Sequence, residues 1–358
     1  MSIDFYPLRV AEVNRETADA VSILLEAPAE HAGAFAFKAG QHLTIKREIG
    51  GEELRRNYSL CVSPSEGVLK IGVKRIAGGA FSGWANEDLK AGEVLEVMAP
   101  HGSFTWNFDS NQARHYAAFA GGSGITPILS LLKTALETEP GSRFTLCYGN
   151  RVSAGVMFLE ELAALKDRYL DRLQVMHFLE DEEQEIALFN GRLDRAKADD
   201  ILTTVLDPAH VDAFFICGPG PMMDAIEEAL HDRGAPKQNI LIERFTTGPM
   251  SAAQAEAARA MEQKAAGLKM SVTLNGRRIN VSFDPANHNI LDNVRAAGLP
   301  APFACKGGVC ATCRAKVTAG EVTMKQNYGL SEEEVAEGYV LTCQATPVSE
   351  GVALSYDV

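Results

Sequence analysis

The sequence predicts a multidomain chain: an antiparallel β-barrel first, an α/β domain with a parallel sheet next, and a small α+β domain last. Three observations predict it. The hydrophobic period changes near residue 110, an Ala-, Glu- and Gln-rich stretch breaks the patterning after residue 246, and four of the seven cysteines fall after residue 300. At 358 residues the chain is too long for one average domain. Lys and Arg number 34 against 47 Asp and Glu, a formal charge of −13 that repels a phosphate backbone, so no nucleic-acid partner is expected. No apolar run approaches the roughly 18 to 20 residues of a membrane span, and the N-terminus lacks a secretory h-region. A cytoplasmic protein without a membrane partner is expected.

The first module, residues 1–110, reads as short strands at Val21–Leu25, His42–Lys46, Val68–Lys74 and Val94–Met98, separated by Gly, Pro and acidic turns. From 111 to 246 strands alternate with helices. Strands are expected at His115–Ala120, Arg143–Tyr148, Leu173–Phe178, Ala213–Cys217 and Ile240–Glu243. Helices are expected near Pro127–Glu137, Phe158–Lys166 and Pro219–Arg233. The stretch 247–268 has a composition suited to a linker, with a short exposed helix as the alternative. Residues 269–358 restart with a hairpin, Ser271–Leu274 and Arg278–Val281, whose Asn275-Gly276 is a strong turn signal, followed by a helix at Ile290–Ala297.

Cys305-x4-Cys310-x2-Cys313, with Cys343 twenty-nine residues further on, has the plant-type ligand spacing for a 2Fe–2S cluster. Two irons bridged by sulfides need four thiolates around a compact rhomb. One tight loop supplies three and a distant strand the fourth. Gly307 and Gly308 would let the loop turn its amides toward the sulfurs. Structural zinc fits less well, because it usually takes two Cys-x2-Cys pairs and only one is present.

In the barrel, Arg56 can neutralise a phosphate and Tyr58 offers a flat face for stacking, with Ser59 beside it. About twenty residues later, Gly78-Gly79-Ala80-Phe81-Ser82 opens a helix, which favours a second phosphate contact. In the second module Gly121-Gly122-Ser123-Gly124-Ile125-Thr126-Pro127 follows an apolar strand and opens a helix. Its glycines admit a pyrophosphate at the positive helix end, and Pro127 suits the first turn.

These motifs resemble the ferredoxin–NADP reductase-like flavoproteins, with their Arg-x-Tyr-Ser, Gly-x-x-Ser and GGxGITP patterns. The resemblance implies that Arg56 holds the flavin pyrophosphate, Tyr58 stacks on the isoalloxazine and Ser59 contacts flavin N5. Gly79 and Ser82 would bind the pyrophosphate, which favours FAD over FMN. Gly122, Gly124, Thr126 and Pro127 would form the nucleotide turn. Cys217-Gly218-Pro219 matches the family's turn beside the nicotinamide, and Glu243-Arg244-Phe245 a terminus in which an acidic residue lies near the flavin. Ser59, Cys217 and Glu243 are therefore the expected catalytic residues. Arg151, after the second strand, can pair with a 2′-phosphate, so NADPH is favoured with NADH as the alternative.

The order of modules resembles the reductase components of multicomponent oxygenases. It implies a FAD-binding barrel, an NAD(P)-binding domain and a C-terminal plant-type ferredoxin domain of β-grasp fold. Within that family AGQHLTI, GGEELRRNYSL, EVMAPHGSF, YGNR and ERF resemble the reductases that serve ring-1,2-phenylacetyl-CoA epoxidases, while those of ketosteroid hydroxylases share the layout. The implied function is electron transfer from NAD(P)H through FAD and the cluster to a separate, diiron oxygenase. A stand-alone reductase of a small acceptor would need no cluster, and an iron–sulfur regulator would need neither nucleotide motif. The eight histidines show no ligand spacing and read as surface or satisfied core residues.

Overall fold

The computed structural model describes residues 4–245 and 252–357. Residues 5–54 and 58–243 form one compact unit, and the chain from 244 onward, with 55–57, forms a second.

The first unit opens with six strands, β1 (Phe5–Thr17), β2 (Ala20–Glu26), β3 (His42–Ile49), β4 (Glu52–Ser59), β5 (Leu69–Lys74) and β6 (Val94–Met98). They form one sheet in the order β4-β3-β6-β1-β2-β5. A bridge from Leu60, just past β4, to Ile71 in β5 joins the two ends of that order and closes a barrel. Leu8, Ile23, Leu43, Ile45, Ile71, Val73 and Val97 fill its core at 0% exposure, as inward positions of a small barrel must. Helix α1 (Ala80–Glu87) buries Phe81 and Ala85 against the same core. Strand β1 is the longest element of the barrel, and the sequence pattern did not single it out.

Five parallel strands follow: β7 (His115–Gly121), β8 (Arg143–Asn150), β9 (Leu173–Leu179), β10 (Ala213–Cys217) and β11 (Ile240–Glu243). Helices α2 (Ile125–Thr138), α3 (Leu159–Arg168), α4 (Arg195–Thr204) and α5 (Gly220–Asp232) connect them. The expected strands and helices are present, and α4 is an addition. The order β11-β10-β7-β8-β9 reverses direction between β7 and β10. Ligands of open α/β sheets bind in the crevice at the carboxyl ends of strands at such a switch point. Here the Gly-rich turn after β7 and the Cys-Gly-Pro turn after β10 flank it.

The second unit contains α6 (Ala252–Lys264), β12 (Lys269–Leu274), β13 (Arg277–Ser282), α7 (Ile290–Ala296), β14 (Arg314–Ala319), β15 (Val322–Met324), α8 (Glu332–Ala336), β16 (Tyr339–Leu341), β17 (Ala345–Pro347) and β18 (Val352–Ser355). Five strands form a mixed sheet, β13-β12-β18-β14-β16, in which β12 and β18 run parallel and the other paired strands antiparallel. Helix α7 buries Ile290, Leu291 and Val294 in its core. Asn275 and Gly276 have φ of +51° and +71°, the turn geometry that a two-residue hairpin requires. Residues 252–264 of the stretch read as a linker are helical, and Ala258, Glu262 and Ala265 line one buried face. The buried Glu262 carboxylate accepts from Lys325 Nζ at 2.5 Å and from His288 Nδ1 at 3.1 Å, which fastens α6 to the ferredoxin-like module. The start of the linker and the 246/247 boundary fall on residues 246–251, outside the described residues.

Candidate functional site

The cysteine loop runs between α7 and β14, and Cys343 follows β16. Cys310, Cys313 and Cys343 are buried and Cys305 is half-buried. Among the described residues no three Cys, His, Asp or Glu side chains converge as they would around one ion. The thiols stand instead as two pairs. The Cys305 thiol neighbours that of Cys310, and the Cys313 thiol that of Cys343, closely enough for each to perturb the other. Within each pair one thiol is pushed up by its partner and by burial, and the other is pulled down by its partner. Two pairs fit two irons that take two thiolates each. The amide of Gly307 donates to Cys305 Sγ at 3.3 Å and that of Cys305 to Cys310 Sγ at 3.5 Å. Inward amides of this kind stabilise a cluster's negative charge. The left-handed positions that turn them are Lys306 (φ +53°), Gly308 (+76°) and Ala311 (+52°). Gly307 is not among them, so only one of the two glycines expected to shape the loop does so through positive φ.

On β4, Arg56 is exposed and its guanidinium donates to the Arg55 carbonyl at 2.8 Å. Tyr58 lies against Phe81 of α1, with ring centroids 5.4 Å apart and planes at 35°. Ser59 is 2% exposed, yet its hydroxyl has no hydrogen-bond partner. A buried hydroxyl left in that state costs free energy unless a ligand completes it, which fits a flavin ring nitrogen. Ser82 differs: its Oγ accepts from the Ile76 amide at 3.1 Å and donates to the Gly79 carbonyl at 3.3 Å. It therefore shapes the loop leading into α1. Gly79 is the N-cap of that helix, where first-turn amides point at any anion.

At the switch point, Gly124 cannot carry a side chain, because a Cβ there would lie 2.0 Å from the Cys217 carbonyl oxygen. Gly218 and Gly121 are similarly pressed between the two turns, with Met222 and Pro219 against them. Gly122 behaves differently, with φ +52° and open space where its Cβ would be. The glycines thus divide their work between joining the two turns and leaving room for a ligand. Thr126 is buried, its hydroxyl donating to the Ser123 carbonyl at 3.0 Å, and Pro127 is buried in the first turn of α2.

Cys217 ends β10, in register with Glu243 at the end of β11. The thiol is fully buried, and burial together with the Glu243 carboxylate holds it well above its ordinary range. It is a neutral thiol rather than an ionised nucleophile. Arg151 is exposed and bound to Asp181 Oδ2 through Nη2 at 2.7 Å and Nε at 3.0 Å. Next to it, the Asn150 carboxamide has both polar atoms buried with no hydrogen-bond partner. The sequence passed over Asn150, and it passed over His42, whose Nδ1 lies 3.6 Å from Glu243 Oε1. His42 shares a strand face with Thr44, and that polar pair in a barrel strand was the available signal.

Comparison with known proteins accounts for all three modules. An oxidoreductase FAD-binding domain model matches residues 7–106, an oxidoreductase NAD-binding domain model residues 119–228, and a 2Fe–2S iron–sulfur cluster binding domain model residues 272–348. The chain is 42% identical to a component of the 1,2-phenylacetyl-CoA epoxidase of Escherichia coli (strain K12), covering 99% of this chain and 98% of that one. It is 34% identical to the ferredoxin reductase component of 3-ketosteroid-9-alpha-monooxygenase of Rhodococcus rhodochrous, covering 98% and 96%.

The chain belongs to the family of oxygenase reductase components.

This reductase also shares its fold with a solved structure of phthalate dioxygenase reductase, at a TM-score of 0.60 and 23% identity over 98% of both chains. It is an oxidoreductase with FAD-binding, NAD-binding and 2Fe–2S domains, and it works in electron transfer to an oxygenase. Among its described residues no helix is long and apolar enough to cross a membrane.

Proposed function

We propose that this reductase draws electrons from NADPH and supplies the separate diiron oxygenase of an aerobic phenylacetyl-CoA epoxidation. The 42% identity to a phenylacetyl-CoA epoxidase component, sustained from end to end, carries this reading. A flavin held here would supply two-electron acceptance with one-electron release, and a 2Fe–2S cluster would supply one-electron transfer.

The chain's own residues bind and orient. Cys305, Cys310, Cys313 and Cys343 would hold the cluster, with the loop amides beside them. Ser59 would complete its hydroxyl on a flavin ring that Tyr58 would cover, while Arg56 and the first-turn amides at Gly79 would hold the pyrophosphate. Ser82 serves that contact by fixing the loop. Gly122, Gly124, Thr126 and Pro127 present α2 to the nucleotide, and Gly218 and Pro219 hold the facing turn. Cys217 forms a neutral wall beside the nicotinamide, and Glu243 sets a carboxylate next to it. Arg151 takes the 2′-phosphate by exchanging Asp181 for it, since an exposed ion pair is worth little. None of the seven cysteines is joined in a disulfide, which suits a cytoplasmic site of action.

The test mixes purified reductase and NADPH with a phenylacetyl-CoA epoxidase oxygenase or with a ketosteroid hydroxylase oxygenase. The expected result is NADPH consumption matched by product only with the first. Equal coupling to the second, or a colourless zinc-loaded protein, overturns the proposal.

A further inference from the structure

The sequence read the histidines as bystanders, but two of them build a wall behind Glu243. The Glu243 side chain is only 17% exposed and that of His42, on β3, only 6%. They sit 3.6 Å apart through His42 Nδ1 and Glu243 Oε1. On the other strand beside it, Glu243 faces the neutral Cys217. Among the described residues, His42 is thus a cationic-capable group within 4 Å of this carboxylate.

His42 is itself held. The His101 ring stands edge-on to it, with centroids 4.2 Å apart. His101 Nδ1 lies 3.1 Å from the Ala99 carbonyl, which can only accept, so Nδ1 carries the proton and Nε2 accepts from Thr44 Oγ1 at 3.3 Å. Burial, helped by His42, lowers the His101 pKa to about 3 and keeps that ring neutral. Gly102, at φ +118°, has no side chain because a Cβ there would meet His42 Nδ1 at 2.9 Å. The ring of His42 is thus enclosed, with Nδ1 turned to the carboxylate.

We infer that His42 is a positioning residue, whose enclosed ring, with Nδ1 3.6 Å from Oε1, holds the Glu243 carboxylate in its working orientation. The inference rests on the proposed placement of Glu243 beside the reacting rings. A carboxylate freed from its partner can swing toward water, and a displacement of about 1 Å at a reacting centre costs on the order of 100-fold in rate.

The test uses the holoprotein and anaerobic single-turnover reduction of its flavin by NADPH, in parent, Glu243→Gln, His42→Leu, His42→Asn and the double variant His42→Leu/Glu243→Gln. Asn keeps a polar carboxamide near the position of the His42 Nδ1 atom. The inference expects Glu243→Gln to slow reduction about 10- to 100-fold and His42→Leu about 10-fold or more. The double variant should match Glu243→Gln within about twofold, because coupled residues are not additive. His42→Asn should return to within about threefold of the parent. NADP+ affinity, read from the flavin difference spectrum, stays unchanged, and a crystal structure of His42→Leu shows the Glu243 side chain turned away from position 42. Full rate in Glu243→Gln overturns the placement of Glu243 whatever His42 does. A slow Glu243→Gln with a fast or additive His42→Leu overturns the positioning role alone. If His42→Leu does not fold, a His42→Asn variant as slow as Glu243→Gln overturns it.

Discussion

Replacing Gly124 with alanine adds one methyl group where the turn after β7 meets the end of β10. The methyl carbon would lie 2.0 Å from the Cys217 carbonyl oxygen and 2.4 Å from its carbon. Both are backbone atoms, so no rotamer change relieves the clash and the two turns must part. Overpacking of this kind costs about 1 to 3 kcal/mol or more. Gly124 has φ −60° and ψ −12°, so alanine is not conformationally disfavoured there. The usual Gly→Ala gain of about 0.4 to 1 kcal/mol offsets part of the cost. The net loss is about 1 to 2 kcal/mol, which for a unit of this size lowers the melting temperature by about 2 to 8 °C. Gly83, within α1 and with nothing near its Cβ position, is the control. Gly83→Ala should raise the melting temperature by about 1 to 4 °C. Thermal release of flavin fluorescence from the full chain reads both, and NADP+ titration should show about 10-fold weaker binding in Gly124→Ala only. A neutral Gly124→Ala would refute the contact between the turns.

Four further outcomes are expected. Cys343→Ser should abolish the EPR signal of the reduced cluster and cytochrome c reduction, while NADPH reduction of ferricyanide persists through the flavin. Because burial holds His101 neutral, with a pKa near 3 against 6.5 unfolded, the unfolded chain binds the extra proton between those values. Stability is then full above about pH 6.5 and falls as pH drops toward 3, and His101→Gln should flatten that acid limb in melting curves. Arg151→Ala should lower the NADPH/NADH ratio of kcat/KM about 10-fold. Asp181→Asn, which frees Arg151 from its present partner, should raise the same ratio.

The cysteine loop was legible because ligand spacing is imposed by covalent chemistry. The α/β strands were legible because a sheet covered on both faces reads as apolar runs such as Tyr116 to Ala120. Strand β1 was not, although Leu8 and Val10 are fully buried. Its register shifts at Val10/Glu12 and Arg15/Thr17 break the alternation on which strand recognition depends. Helix α4 was missed because only Ala198, Ile201 and Leu202 are buried in an otherwise polar segment. Its one local signal was Asp194, the N-cap, which accepts from the Lys197 amide. The nearness of His42 to Glu243 has no local signature at all. It arises when a barrel strand and a sheet strand fold together.

The three cysteines outside the cluster loop bear on how long such a protein lasts in air. Reduced flavins leak electrons to dioxygen, and the peroxide that results attacks thiolates far faster than thiols. Burial pushes Cys61 up to about 12 and raises Cys147 and Cys217 as well. All three therefore stay protonated and shielded from the oxidant their own cofactor generates, so oxidative wear falls first on the iron-binding loop.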